Sequence, residues 1–123
     1  MSSRGQVRMA YQSDGSLVAN LSGEFDTTNA AGLRAELLGA VHRAGRAGVM
    51  VDLAGVRFLD SVGLAALVAA FKTAHRQRLP FRVGRTSQFA ARLLQITGLD
   101  RLWASDAGLL PTGEVPTERS LIS

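Results

Sequence analysis

Asp60 and Ser61 stand between an apolar, strand-like run and a strongly apolar segment with helical periodicity. A serine at such a strand-to-helix junction presents a reachable hydroxyl. The main-chain N–H groups and the dipole of a helix N-terminus favour negative charge, so this position suits a phosphate. An aspartate–serine pair before an apolar helix also resembles an ordinary helix cap, and taken alone it favours capping.

A hydrolytic role for Ser61 is not supported, because such a serine needs a base within hydrogen-bond reach. His75 lies roughly four turns further along the same predicted helix, about 20 Å away. His42 lies near the far end of a different helix, at the opposite edge of the predicted sheet. Residues 59–63 read LDSVG, which does not match the G-x-S-x-G elbow of serine hydrolases.

No other catalytic or ligand-binding pattern is present in the sequence. The nucleotide fingerprints GxxxxGK[ST] and GxGxxG are both absent, and the scattered histidines and carboxylates show no metal-ligand spacing. We therefore expect no enzymatic activity, no cofactor and no bound metal.

The composition predicts one globular domain. A chain of 123 residues, 46% of them hydrophobic, can bury a core without a metal or disulfide. It has no cysteine, so a disulfide framework and a thiolate zinc site are excluded. The N-terminus carries no apolar segment typical of a secretory signal, and the longest uncharged apolar run, residues 62–71, is too short to span a bilayer. We expect a soluble, cytoplasmic protein without membrane contact.

The net charge of +4 is carried almost entirely by arginine. The densest group, Arg76, Arg78, Arg82 and Arg85, has only Phe81 among it. A nucleic-acid surface needs a tighter basic stripe with interleaved aromatic residues, so we expect a solvated surface and no direct nucleic-acid contact. An acidic protein partner is a further possibility.

Hydrophobic periodicity predicts the order strand, strand, helix, strand, helix, strand, helix. Asp14-Gly15 marks a hairpin turn, the Thr27-Thr28-Asn29 cluster offers N-cap residues, and Gly98 ends the last helix. The third strand is expected to end at Leu53 and to be followed by a short loop. The predicted strands are residues 7–11, 17–21, 49–53 and 81–83, and the helical stripes span residues 30–44, 62–71 and 89–96.

This order predicts an α/β fold with a small mixed β-sheet. An antiparallel N-terminal hairpin is followed by parallel strand–helix units, with the helices packed against the sheet. The domain is expected to cover residues 1–103, with Trp103 and its apolar neighbours docking on the body. Proline and glycine residues in 104–123 predict an irregular or flexible tail.

Three strand-to-helix junctions carry polar residues. Asp26 follows the second strand, Asp60-Ser61 follows the third, and Arg85-Thr86-Ser87 follows the fourth. Because such junctions emerge at one edge of a parallel sheet, we expect them to lie near one another. Each residue could also serve only as a turn or cap residue.

Taken together, several segments resemble STAS-domain proteins of the anti-sigma factor antagonist type. They occur in the order and spacing of that family over about residues 7–103, and the D-S-x-G-L core is the most specific of them. The segments are LSGEFD at 21–26, VDL at 51–53, FLDSVGL at 58–64, and residues 93–103 with TGL at 97–99.

The resemblance implies a partner-switching protein. Such a protein binds an anti-sigma factor that is also a serine kinase, and thereby frees the sigma factor. The kinase phosphorylates the serine at the position of Ser61, which breaks the complex, and a serine phosphatase restores it. Asp26 and Asp60 fall on the family's acidic positions. The residues expected to bind or regulate the partner are Asp26, Asp60, Ser61, Val62, Gly63, Thr86 and Ser87.

The alternative that the family offers is a STAS adaptor that is not phosphorylated, in a lipid-transport or stress-signalling complex. We expect a monomer or weak dimer in either case. The last helix of the family is not evident in residues 104–123.

Overall fold

The computed structural model describes residues 4–103, and it confirms the predicted order of elements. Residues 99–103 are also helical. The predicted tail at 104–123, and with it the last family helix, lies outside the described residues. The elements are β1 (Gly5–Tyr11), β2 (Leu17–Phe25), α1 (Ala30–Arg43), β3 (Val49–Leu59), α2 (Ser61–Arg76), β4 (Phe81–Thr86) and α3 (Gln88–Thr97).

The four strands form a single mixed sheet in the order β1-β2-β3-β4. β1 pairs with β2 in the antiparallel sense, whereas β2 pairs with β3 and β3 with β4 in the parallel sense. This is the predicted fold class, an N-terminal hairpin followed by strand–helix–strand units.

One face of the sheet and the apolar sides of α1 and α2 form the hydrophobic core. Burial alternates strictly along β2, from Leu17 to Phe25, as it does in a strand with one covered face. On α2, Leu67, Ala70 and Ala74 are fully buried. Although α2 is strongly apolar, no helix within residues 4–103 is long and apolar enough to cross a membrane.

An aromatic cluster closes the core at the C-terminal end of α2. Phe71 and Phe81 lie in edge-to-face contact, and both rings are within 6.2 Å of the Trp103 ring, measured between centroids. Trp103 is only 3% exposed. The predicted docking of this residue on the body of the domain is therefore confirmed.

The third strand is longer than the sequence predicts, because it continues to Leu59 instead of ending at Leu53. Two irregularities in its pairing with β2 each place one extra residue in β3. At the first of them, the Asp52 carboxylate accepts a hydrogen bond from Ala54 N and a second from Arg85 Nε. The extra residues interrupt the alternation of buried and exposed side chains, so the sequence pattern does not indicate a strand beyond Leu53.

A close backbone approach ties the start of β1 to the end of β2. Gly23 has a φ of +91°, and a Cβ atom there would lie 1.9 Å from the carbonyl oxygen of Arg4. The amide of Glu24 donates a hydrogen bond to that same oxygen. Glycine is thus required at this position both for the backbone conformation and for the space.

We predict that Gly23→Ala destabilises the fold by about 3 kcal/mol or more, because strain and a backbone clash combine. Gly15→Ala is the matched control, since Gly15 also has a positive φ, +89°, but has no atom near the added Cβ. It should cost only about 1 kcal/mol. Urea unfolding of both variants measures the two losses, and equal losses would show that the close approach carries no energetic weight.

Candidate functional site

The junctions after β2 and β3 meet at one edge of the sheet. Phe25 and Leu59 are partners in the parallel register, and the amide of Asp60 donates to the Phe25 carbonyl at 3.1 Å. Adjacent strands lie about 5 Å apart, so Asp26 and Asp60 follow each strand at about this separation. The expectation that these two junctions lie together is confirmed.

Asp60 caps α2. Its Oδ1 atom accepts hydrogen bonds from the amides of Val62 and Gly63, both at 3.0 Å, and the backbone of Asp60 is extended. These bonds satisfy two of the amide groups that have no partner within the helix. The Asp60 carboxylate therefore stabilises the start of α2 and holds the backbone on either side of Ser61 in place.

Ser61 is the first residue of α2 and is exposed to solvent. Within residues 4–103 its hydroxyl makes no hydrogen bond, so this side chain has no structural partner to lose. Val62 next to it is 44% exposed. An incoming enzyme or binding partner can thus reach both side chains directly.

Gly63 differs from its neighbours because it is buried. A Cβ atom at this position would lie 2.7 Å from Leu59 Cδ1 and 3.3 Å from Phe25 Cβ. The absence of a side chain lets the first turn of α2 pack on the ends of both strands. Gly63 therefore contributes to the site by internal packing.

Asp26 organises the turn between β2 and α1. Its Oδ1 atom accepts hydrogen bonds from the amide and the hydroxyl of Thr28, at 2.9 and 2.6 Å. Its Oδ2 atom accepts from Nη2 of Arg4. The hydrogen bonds from Thr28, and to a lesser extent the Arg4 guanidinium, hold the pKa of Asp26 below its ordinary value.

Asn29 occupies the predicted N-cap position of α1, but its side chain makes no cap hydrogen bond. It reaches back instead. Its Oδ1 atom accepts from the amide of Asp26 at 2.9 Å, and its Nδ2 atom donates to the Glu24 carbonyl at 2.9 Å. Asn29 thus holds the turn that carries Asp26 against the end of β2.

The third predicted junction begins further back along the sheet. Thr86 is the register partner of Leu53, and from there to the end of β3 the strand advances by about four residues of β2, or about 13 Å. The register thus sets Thr86 back from the edge that carries Ser61, whereas the start of α3 lies closer to it, because Phe89 packs against Phe58 with 5.8 Å between ring centroids. The Ser87 hydroxyl donates to the Val56 carbonyl at 2.6 Å and accepts from the Ala90 amide, so it caps α3 and satisfies one carbonyl of β3.

Charged residues that the sequence analysis missed border the site. Arg4 lies within 3.9 Å of the Glu24 carboxylate and pairs with Asp26, and Arg57 lies 3.9 Å from the other Glu24 oxygen. Arg4 precedes the first strand and belongs to no motif. Only knowledge of the hairpin register, which pairs Gly5 with Gly23, would have predicted that Arg4 lies beside Glu24 and Asp26.

The histidines stand far from Ser61. His42 and His75 lie in the last turns of α1 and α2, and His75 stacks on Phe71. Among residues 4–103, no group of three or more histidine, cysteine or acidic side chains is placed to hold a metal ion.

Comparison with known proteins gives a family match. The family model described as "Mlab, STAS domain" matches residues 9–111. A Bacillus subtilis protein named "Anti-sigma-B factor antagonist" is 31% identical over 88 residues, which cover 72% of this chain and 79% of that protein.

Solved structures share the fold. An anti-sigma factor antagonist from Mycobacterium paratuberculosis superposes with a TM-score of 0.70 at 29% identity, covering 80% of this chain and 82% of that one. The unphosphorylated form of the Bacillus anti-sigma factor antagonist SpoIIAA gives a TM-score of 0.67 at 17% identity, covering 80% and 84%. The latter likeness concerns the fold alone.

The low pKa of Asp26 predicts a pH-dependent contribution to stability. Its folded-state pKa lies below the ordinary value of 3.8, so the stabilisation is fully present above that value and is lost as the pH falls through the folded pKa. Asp26→Asn should therefore be less stable than the parent at neutral pH, and the two should converge in strong acid. Urea unfolding across this pH range measures the difference, and a pH-independent difference would contradict this assignment.

Proposed function

The chain belongs to the STAS domain family, and we propose that it is an anti-sigma factor antagonist controlled by phosphorylation of Ser61. It binds an anti-sigma factor that is also a serine kinase, and so releases a sigma factor for transcription. Phosphorylation of Ser61 by that kinase ends the complex, and a serine phosphatase restores the binding form. In this proposal the chain is a regulatory binding protein that acts in the cytoplasm.

The relatives support the first half of this proposal. The Bacillus subtilis protein at 31% identity and the mycobacterial structure at 29% identity are both named anti-sigma factor antagonists. Each is matched over more than three quarters of its own length, so the resemblance concerns nearly the whole of both proteins.

The observation that carries the second half is the exposed Ser61 hydroxyl at the start of α2. Asp60 and Asp26 have their carboxylates engaged in local hydrogen bonds, whereas Ser61 has no such role within residues 4–103. A group that can be modified without breaking a structural contact is suited to act as a switch.

Charge explains how the switch would work. A phosphate adds about −1.5 to −2 charges, and the helix N-terminus tolerates them, so the fold should persist. The effect then falls on the binding surface. One unit of this charge repels a partner carboxylate about 5 Å away by roughly 3 kcal/mol at an effective dielectric near 20, before screening by salt. This repulsion alone weakens binding by about a hundredfold, and the bulk of the phosphate adds to it.

We predict that Ser61→Ala and Ser61→Asp both fold, but that only Ser61→Ala binds the kinase-type anti-sigma factor as the parent does. Ser61→Ala should also bind regardless of ATP, since it cannot be phosphorylated. Ser61→Asp should bind more weakly by at least tenfold. Circular dichroism establishes folding, and isothermal titration calorimetry gives both affinities.

Two outcomes would contradict the proposal. If Ser61→Asp binds as tightly as the parent, charge at this position does not control the complex. If ATP and the kinase leave the intact mass of the parent unchanged while binding persists, the chain acts as an adaptor without phosphorylation. Thr86→Ala is the matched control for phosphorylation, because it removes an exposed hydroxyl outside the Asp60-Ser61 motif and should leave the added mass unchanged.

A further inference from the structure

Both the backbone and the guanidinium group of Arg4 make hydrogen bonds that hold the residue in place. Its carbonyl oxygen accepts a hydrogen bond from Glu24 N, at the close approach that Gly23 permits. Its guanidinium donates to Asp26 Oδ2 and, at 3.2 Å, to Thr28 Oγ1. A long side chain that is fixed in this way loses little conformational freedom when it binds something else.

The Arg4 guanidinium also retains free capacity. It carries five N–H donors, and the hydrogen bonds to Asp26 and Thr28 use two of them. Glu24 at 3.9 Å contributes charge but lies too far for a hydrogen bond. The side chain is 43% exposed, so the unused donors can be reached from solvent.

Its location links Arg4 to the Ser61 surface. Asp26 directly follows Phe25, and the Phe25 carbonyl accepts the hydrogen bond from Asp60 N. The cation therefore borders the junction from which α2 begins. A partner that covers Ser61 and the exposed Val62 meets the ordered guanidinium at the same edge.

We propose that Arg4 is a specificity-determining residue of this surface and that its guanidinium binds a carboxylate of the anti-sigma factor. The proposal rests on the proposed function. A planar, pre-ordered guanidinium is the side chain best suited to pair with a carboxylate. Asp26 then has a positioning role, because its low pKa keeps it ionised and able to hold Arg4 in place.

A double-mutant cycle separates this role from a purely structural one. The affinity of the anti-sigma factor is measured by calorimetry for the parent, Arg4→Gln, Asp26→Asn and the double variant. Arg4→Gln should weaken binding about five- to tenfold in the parent background, and at least threefold in the Asp26→Asn background. An effect that vanishes in the Asp26→Asn background would overturn the proposal, because Arg4 would then act only through Asp26.

Two further variants complete the test. Arg8→Gln is the matched control, because Arg8 is an exposed arginine of β1 in register with Asn20, four residues further along the chain than Arg4 and away from the Ser61 edge. It should leave affinity unchanged, and an equal loss would show that net charge alone matters. Arg4→Lys should restore part of the affinity with a thermal midpoint like that of Arg4→Gln, whereas no recovery at all would count against the ion pair.

The two sets of results distinguish a failure of the Arg4 contact from a failure of the proposed function. If the parent does not bind any kinase-type anti-sigma factor, the proposed function fails and the Arg4 contact falls with it. If the parent binds and Arg4→Gln binds equally well, only the role of Arg4 is refuted.

Discussion

The pairing between the second half of β3 and the end of β2 is the constraint on which the site depends. β3 continues for six residues beyond its last pair with β4, and it stays paired with β2 until Leu59. If the strand ended at Leu53, α2 would begin about 13 Å short of the turn that carries Asp26. Two extra residues lie within this part of β3, and at the first of them Asp52 accepts a hydrogen bond from the Ala54 amide.

Asp26, Asp60 and Ser61 lie at this edge, and they differ in how much the local structure depends on them. Asp60 satisfies the first amides of α2, and Asp26 orders the turn before α1 and holds Arg4. Both carboxylates therefore support the scaffold. Ser61 lies next to them without such a task within the described residues, so a change in its chemistry alters the surface while the supporting hydrogen bonds stay in place.

Much of this arrangement could be predicted from sequence. The helices carry apolar residues at three- and four-residue spacing, and the order of elements fixes parallel neighbours, which brings Asp26 and Asp60 together. The second half of β3 was missed because Ala54-Gly55 and Arg57-Phe58 are pairs of exposed residues that break the alternation expected of a strand. Because the pattern ends β3 at Leu53, it also predicts Thr86 closer to Ser61 than the register places it.

The role of Arg4 could not be predicted for a different reason. Its contacts depend on the register of the hairpin and on a positive φ at Gly23, neither of which a propensity pattern specifies. Asn29 shows the same difficulty on a smaller scale, since its residue type suits a cap but its side chain bonds to the strand behind it.

Trp103 is the single tryptophan of the chain, and it is buried against Phe71 and Phe81. Phe71 lies about 15 Å along α2 from Ser61, so the indole is remote from the surface that would be modified. We therefore expect its intrinsic fluorescence to follow the folding of the hydrophobic interior and to be insensitive to a change at Ser61.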